Sequence, residues 1–353
     1  MNFFPYLFYL AAAFAAIGAL MAVYVPARPD KNAAMVALIF PLLLAYLIGM
    51  YRVDGVDFEN YAGYLGSGRA EVPDLGYKLL MELASAVGMQ LSEFFLLQGL
   101  FTLGAVYLLA RRLQSDFVVT IALYILHAAI VRDFTQSRAG LAIAIYFVAL
   151  AQERKALYLA LTVAAVSVHM SLIPLVLVYH WARLVVRSRK GQILLVAVPA
   201  VALLAGMTVA LPLLGSLDPR IEIYMNWSQD LYGNPVGSYT TLLLFLLLAA
   251  ICYRAQRITG DQQLKVFLIM MLYAAVTFVA FRTWAIFASR LSNVVAALYP
   301  FAVGRAMSLL KERDGDRLHG VAVALLGALL LAVTIRPGSL EDLQRTQPAL
   351  LAN

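Results

Sequence analysis

The sequence predicts an all-α, polytopic integral membrane protein, and three observations carry that prediction. Hydrophobic residues make up 63% of the 353-residue chain and charged residues only 13%. The mean hydropathy is +0.81. The apolar residues gather in long runs separated by short basic loops, whereas soluble domains average about half apolar and about a quarter charged. The single cysteine, Cys252, stands in an apolar run, which excludes a disulfide framework and a cysteine-rich metal site. A net charge of +7 would raise nucleic acid as a partner for a soluble protein. Here the basic residues sit between apolar runs, as topology determinants do, and nucleic acid is not implied.

A helix crosses a hydrocarbon core about 30 Å thick with about 20 residues. The first apolar run, 3–25, lacks a positive n-region and is long enough to span, so it is expected as an uncleaved helix of the mature chain. Further candidates are 33–51, 92–110, 116–131, 139–152, 156–168, 170–186, 192–214, 238–253, 264–281, 284–304 and 318–335. Several fall short of a full crossing, so about 10 to 12 transmembrane helices are expected. They form a single transmembrane domain over 1–353, without internal repeat or detached soluble segment. Under simple alternation Arg28/Lys31, Arg111/Arg112, Arg154/Lys155, the cluster Arg183 to Lys190, Arg254/Arg257/Lys265 and the cluster Arg305 to Arg317 share one side. The positive-inside rule makes that side the cytoplasm, with both termini outward.

The stretch 156–186 tests this topology, because a single long helix would put Arg183, Arg187, Arg189 and Lys190 opposite Arg154 and Lys155. A hairpin of two short or tilted helices satisfies both clusters. It turns at Ser167-Val168-His169-Met170-Ser171, with Pro174 disturbing its second arm. Irregular backbone at membrane depth is tolerated where protein or a water-filled cavity satisfies it, so His169 is expected on a cavity wall. Two outer loops complete the map. One covers 51–91 and carries a short amphipathic helix at 75–87, suited to the interface. The other covers 215–237, with Tyr224, Trp227 and Tyr232 as an interfacial belt or as stacking platforms for sugar rings.

Arg52, Arg132, Arg138, Arg282 and Arg290 lie at or near the ends of apolar runs on the outer side. Cations near hydrocarbon persist where they meet a partner, a wet cavity or a substrate, so the set suggests a bound anion. In Tyr51-Arg52-Val53-Asp54-Gly55-Val56-Asp57, Arg52 is a candidate phosphate ligand and Asp57 a candidate base or hydroxyl-orienting group, although the same pattern describes a solvated loop. In Arg132-Asp133-Phe134-Thr135-Gln136-Ser137-Arg138, Asp133 can pair one arginine, and two guanidinium forks to one carboxylate still leave positive charge for phosphate oxygens. His169 is one of four histidines. It is either a hydrogen-bonded packing residue or a base that needs no metal, given an acceptor hydroxyl within reach. Snorkelling accounts for Arg282. Arg290 stands about two turns inside its apolar run, with no acid nearby in sequence. No His/Asp/Glu spacing makes a convincing metal site, and no cofactor is expected.

The order of these motifs resembles the EpsG-like branch of the Wzy-type bacterial polysaccharide polymerases. The resemblance covers roughly 51–302. It rests on Arg52-x-x-Gly55-x-Asp57-x-x-x-Tyr61, Asp74-Leu75-Gly76-Tyr77-Lys78-Leu79-Leu80, Gln136-Ser137-Arg138-Ala139-Gly140-Leu141-Ala142, Val168-His169-Met170-Ser171 and Ser289-Arg290-Leu291. The family's Arg-Gln pair is Arg138-Ala139 here. The resemblance implies a GT-C-like fold in the bacterial inner membrane with a periplasm-facing active site. It implies an O-antigen or exopolysaccharide polymerase, taking undecaprenyl-diphosphate-linked oligosaccharides as donor and acceptor. His169, Asp57, Arg138 and Arg290 are the catalytic candidates, with His169 and Asp57 both open as the base. Arg52, Tyr61, Arg132, Arg282 and Gln136 are the substrate-binding candidates. Membrane lipids are partners, and a chain-length regulator is allowed as another. The alternatives are a lipid-linked oligosaccharide flippase or other transporter, an O-antigen ligase or membrane acyltransferase, and a non-catalytic assembly subunit. Crowding of charge toward one face favours the enzyme over a transporter, which would set ionisable groups near the midplane of several helices.

Overall fold

A computed structural model describes residues 43–44, 46–51, 61, 74–125, 133, 136–188, 197, 200–201, 236–281 and 285–314. Every regular element among them is helical. The expected helices at 3–25 and 318–335, and most of those at 33–51 and 192–214 and of the 215–237 loop, lie outside the described residues. The chain divides into two compact units, Met1–Met170 with Leu310–Asn353, and Ser171–Leu309.

In the first unit α1 (Leu75–Ala86) is the short amphipathic helix expected from the sequence. It buries Tyr77, Met81 and Ala84 and leaves Leu75, Leu79 and Leu83 exposed, one every helical turn along a single face. Gly88 ends it with φ +69°, a left-handed conformation that only glycine adopts without cost. Helix α2 (Leu91–Arg112) is long and apolar enough to cross a membrane. Helix α3 (Phe117–Leu123) starts where the Asp116 side chain accepts from the Val119 N–H. Helices α4 (Ser137–Ala151) and α5 (Lys155–Val168) are apolar but shorter. Helix α4 is the centre of this unit. It is buried along nearly its whole length through a run of small residues (Ala139, Gly140, Ala142, Ala144), which lets α2 and α5 pack closely on it. Helix α1 packs on α5.

In the second unit, α6 (Ile173–Arg187) follows a 3-10 turn at Met170–Leu172. The expected break at His169 is present. Pro174 has a different part from the one expected: it sits in the first turn of α6, where its missing N–H forfeits no bond, so it starts that helix and does not disturb it. A continuous helix through 156–186 would need an N–H at 174 and would press the proline ring on the Met170 carbonyl, which is why the chain breaks upstream. Helix α7 (Val236–Thr259) runs past the expected end at 253 and is followed by α8 (Gln262–Ala280). Helix α8 is the hub, with α6, α7 and α9 (Ala285–Val295) packed on it.

The expected helix at 284–304 is two helices, α9 and α10 (Tyr299–Asp314), separated by a turn at 296–298. Pro300 is the cause. It cannot donate to the Ala296 carbonyl, and the flanking Ala297 and Tyr299 amides make tighter bonds to Val294 and Ala296.

Among the described residues four helical stretches are long and apolar enough to cross a membrane: Leu91–Arg112, Met170–Arg187, Leu242–Thr259 and Gln262–Ala280. The chain is an all-α polytopic membrane protein.

Candidate active site

The polar cluster of the first unit forms where α1 begins, α4 begins and α5 ends. Asp74 is the N-cap residue of α1, yet its side chain makes no cap bond. Its carboxylate reaches across to the other two elements. Oδ2 accepts from Arg138 Nη1 at 2.9 Å and lies 3.1 Å from His169 Nδ1. Oδ1 faces the Met170 N–H at 3.5 Å. The Asp74 side chain is 7% exposed, and those of Arg138 and His169 are each 24% exposed, so the acid is covered while both of its partners are partly open.

Local sequence explains each placement. Helix α5 ends where the His169 N–H still donates to the Ala165 carbonyl and Ser167 Oγ donates back to the Ala164 carbonyl, and His169 itself is extended. Gly76 allows α1 to cross that end at backbone contact. A Cβ at Gly76 would lie 2.7 Å from the Ser167 carbonyl carbon and 2.8 Å from the Val168 nitrogen. The crossing brings Asp74 to His169. Arg138 lies in the first turn of α4, beside Ser137, whose hydroxyl donates to Gln98 Oε1 at 3.0 Å while Gln98 Nε2 donates to the Ser137 carbonyl at 2.9 Å.

Burial is the largest influence on the Asp74 carboxyl and opposes its ionisation. The hydrogen bond and attraction of His169, then the Arg138 charge and the Met170 amide, outweigh it and hold the group below the ordinary carboxylate value. The cluster can therefore keep a permanent carboxylate at neutral pH. In the tautomer with Nδ1 donating to Asp74, Nε2 of His169 carries the lone pair.

Of the residues singled out from sequence, Arg138 and His169 come together. Gln136 is the N-cap residue of α4, partly exposed beside Arg138. Tyr61 is 3% exposed, with its ring 5.6 Å from those of Tyr77 and Phe95. Arg290 is exposed on α9 in the second unit. Arg52, Asp57, Arg132 and Arg282 lie outside the described residues. Asp133, expected beside one of the arginines, is wholly buried and takes hydrogen bonds from Tyr46 and Tyr124.

Sequence reasoning missed Asp74 itself. An aspartate just ahead of an amphipathic run is expected to cap the helix, which accounts for its carboxylate before any tertiary partner is considered. The available signal was its position at the head of the Asp74-Leu75-Gly76-Tyr77 segment. Among the described residues no group of three or more His, Cys, Asp or Glu is placed to hold a metal ion.

The EpsG family model matches residues 5–339, nearly the full length. The chain belongs to the EpsG family. No curated protein and no solved structure matches it. Membership supports a polysaccharide-polymerase type of membrane protein acting on lipid-linked oligosaccharides in general. In this EpsG-family chain the Gln136-Ser137-Arg138 and Val168-His169-Met170 segments, far apart in sequence, supply two of the three side chains of the cluster.

Proposed function

We propose that this protein is an inner-membrane polysaccharide polymerase that moves a glycan from undecaprenyl diphosphate to a hydroxyl at the non-reducing end of a lipid-linked repeat unit, on the periplasmic face. The observation that carries this reading is the meeting of Asp74, Arg138 and His169. In one displacement the acceptor oxygen forms a bond to the donor's anomeric carbon as the bond from that carbon to the diphosphate oxygen breaks. The electron pair leaves with the diphosphate, and the acceptor's proton passes to His169 Nε2. Such a displacement inverts the anomeric centre.

Asp74 holds the imidazole in the tautomer that leaves Nε2 basic and stabilises the imidazolium that forms, as a carboxylate does for a catalytic histidine elsewhere. Arg138 pairs with Asp74 and is partly exposed, and its guanidinium charge stabilises the charge developing on the diphosphate. This arrangement supports His169 over Asp57 as the base. Arg52 and Arg132 are further cations for the diphosphate groups, and Gln136 is a hydrogen-bond partner for the glycan. A diphosphate leaving group needs little protonation, so the reaction runs without a metal or other cofactor.

The test is purified full-length protein given synthetic lipid-diphosphate repeat units. A glycan ladder that forms without nucleotide and persists in chelator is the expected result. A wild-type protein that only moves these lipids across vesicles would overturn the reading in favour of a flippase. Transfer of finished polymer to a different lipid would make it a ligase.

A further inference from the structure

We propose that Asp133 is a positioning residue for Arg138: its buried carboxylate, held by two tyrosine hydroxyls, sets the first turn of α4 so that the guanidinium reaches Asp74. The proposal deepens the reading above, in which Arg138 grips a diphosphate.

Asp133 is 0% exposed, as are Tyr46 and Tyr124. The Tyr46 hydroxyl donates to Oδ2 at 2.7 Å, and the Tyr124 hydroxyl lies 3.0 and 3.2 Å from the two carboxylate oxygens. A carboxylate in such surroundings is costly, and an apolar side chain of the same volume commonly serves stability as well or better. Its return lies in geometry. Gly140 rests directly on Asp133, and a Cβ there would fall on the carboxylate and 3.2 Å from the Asp133 Cα. Gly140 follows Arg138 by two residues, about 200° around the helix. Asp133 therefore bears on the face of α4 nearly opposite Arg138. Ser137, held by Gln98, is three residues before Gly140 and so lies about 60° from it, on the same side of the helix. The turn is held by contacts on the face turned away from Arg138, which projects toward Asp74.

Two measurements on the full-length protein test this. The first needs no assumption about the reaction. In a Cys252→Ala background, the thiol of Arg138→Cys is labelled with a small methanethiosulfonate reagent, with and without Asp133→Asn. Asparagine keeps the size and one acceptor oxygen. The labelling rate is expected to change at least fivefold, while a thiol from Gln152→Cys, at the far end of α4, keeps its rate. An unchanged rate at 138, or an equal change at both ends, overturns the proposal, the second because it marks a general loosening of the helix.

The second measurement is farnesyl diphosphate binding by calorimetry. Asp133→Asn is expected to weaken it about tenfold, within the range seen when a polar group is misplaced by about 1 Å. The same substitution in an Arg138→Ala background is expected to cost nothing further. Full additivity overturns the positioning role. A wild-type protein that ignores farnesyl diphosphate, but passes the labelling test, keeps the positioning claim and removes the diphosphate reading.

Discussion

Each unit of the molecule contains an aspartate at a helix N-terminus that meets an arginine distant in sequence, and the two differ in what the aspartate does next. Asp261 in the second unit caps α8, accepting from the Leu264 N–H at 2.8 Å, and it takes Arg305 Nε at 3.1 and 3.2 Å on its two oxygens, with Nη2 on Oδ2 as well. Acid and base are 14% and 15% exposed. That carboxylate is occupied by its own helix and by a guanidinium fork, a closed and structural arrangement. Asp74 in the first unit forgoes its cap and adds a histidine to its arginine. An acid that meets an imidazole while its partners stay partly open suits the catalytic role proposed for it.

The largest expected effect that could break this contrast is on turnover. Arg138→Ala, His169→Ala and Asp74→Asn should each lower ladder formation about a hundredfold or more, the scale of losing a general base or a charge-stabilising donor, with the amount of folded protein nearly unchanged. Normal polymerisation by these variants would remove the site assignment. Asp261→Ala should do the reverse. It breaks a buried ion pair and a cap, for a loss of about 3 kcal/mol or more, read as a lower Tm with normal activity per folded molecule.

Gly76→Ala stands between the two, since its methyl group would push α1 off the end of α5. Turnover should fall about tenfold by misplacing Asp74, with a smaller loss of stability. A tenfold loss in Tm-matched protein sharpens the claim that the crossing serves the site.

pH separates the pairs more gently. Burial works against the Asp261 carboxyl too, but the hydrogen bonds of Arg305 and of the Leu264 amide hold it below the ordinary value. A lowered folded-state pKa adds stability that is fully present above the unfolded-state value, near 3.9, and is lost as pH falls through the folded value. The Asp261→Ala difference in stability should therefore be constant from about pH 5 upward and shrink only in acid. By the same sign Asp74 adds no limb to the pH–activity profile above about pH 5. The smallest effect belongs to the exposed pair Lys78–Glu82 on α1, 3.8 Å apart. Glu82→Gln should change stability by no more than about 0.5 kcal/mol, measured by thermal unfolding.

How far the sequence could be read follows from what each feature depends on. Composition and run length determined the membrane class, because burial in lipid demands apolar residues and internal hydrogen bonding whatever the topology. Local pattern determined the amphipathic α1, the basic clusters at 154–155 and 183–190 required the break near His169, and position at the ends of apolar runs marked Arg138 and His169 as candidates. Pro174 and Pro300 show its limit: the residue was visible, but whether it kinked, split or started a helix depended on where neighbouring turns closed. For Tyr61 and Asp133 the sequence could offer only neighbours in the chain, because nearness in sequence was the only distance available. Tertiary packing alone decided that Tyr61 joins an aromatic cluster, that Asp133 meets two tyrosines, and that Asp74, 64 residues from Arg138 and 95 from His169, meets both of them. Such pairings arise from a helix crossing at Gly76 and a small-residue face on α4, contacts between surfaces that no local pattern records.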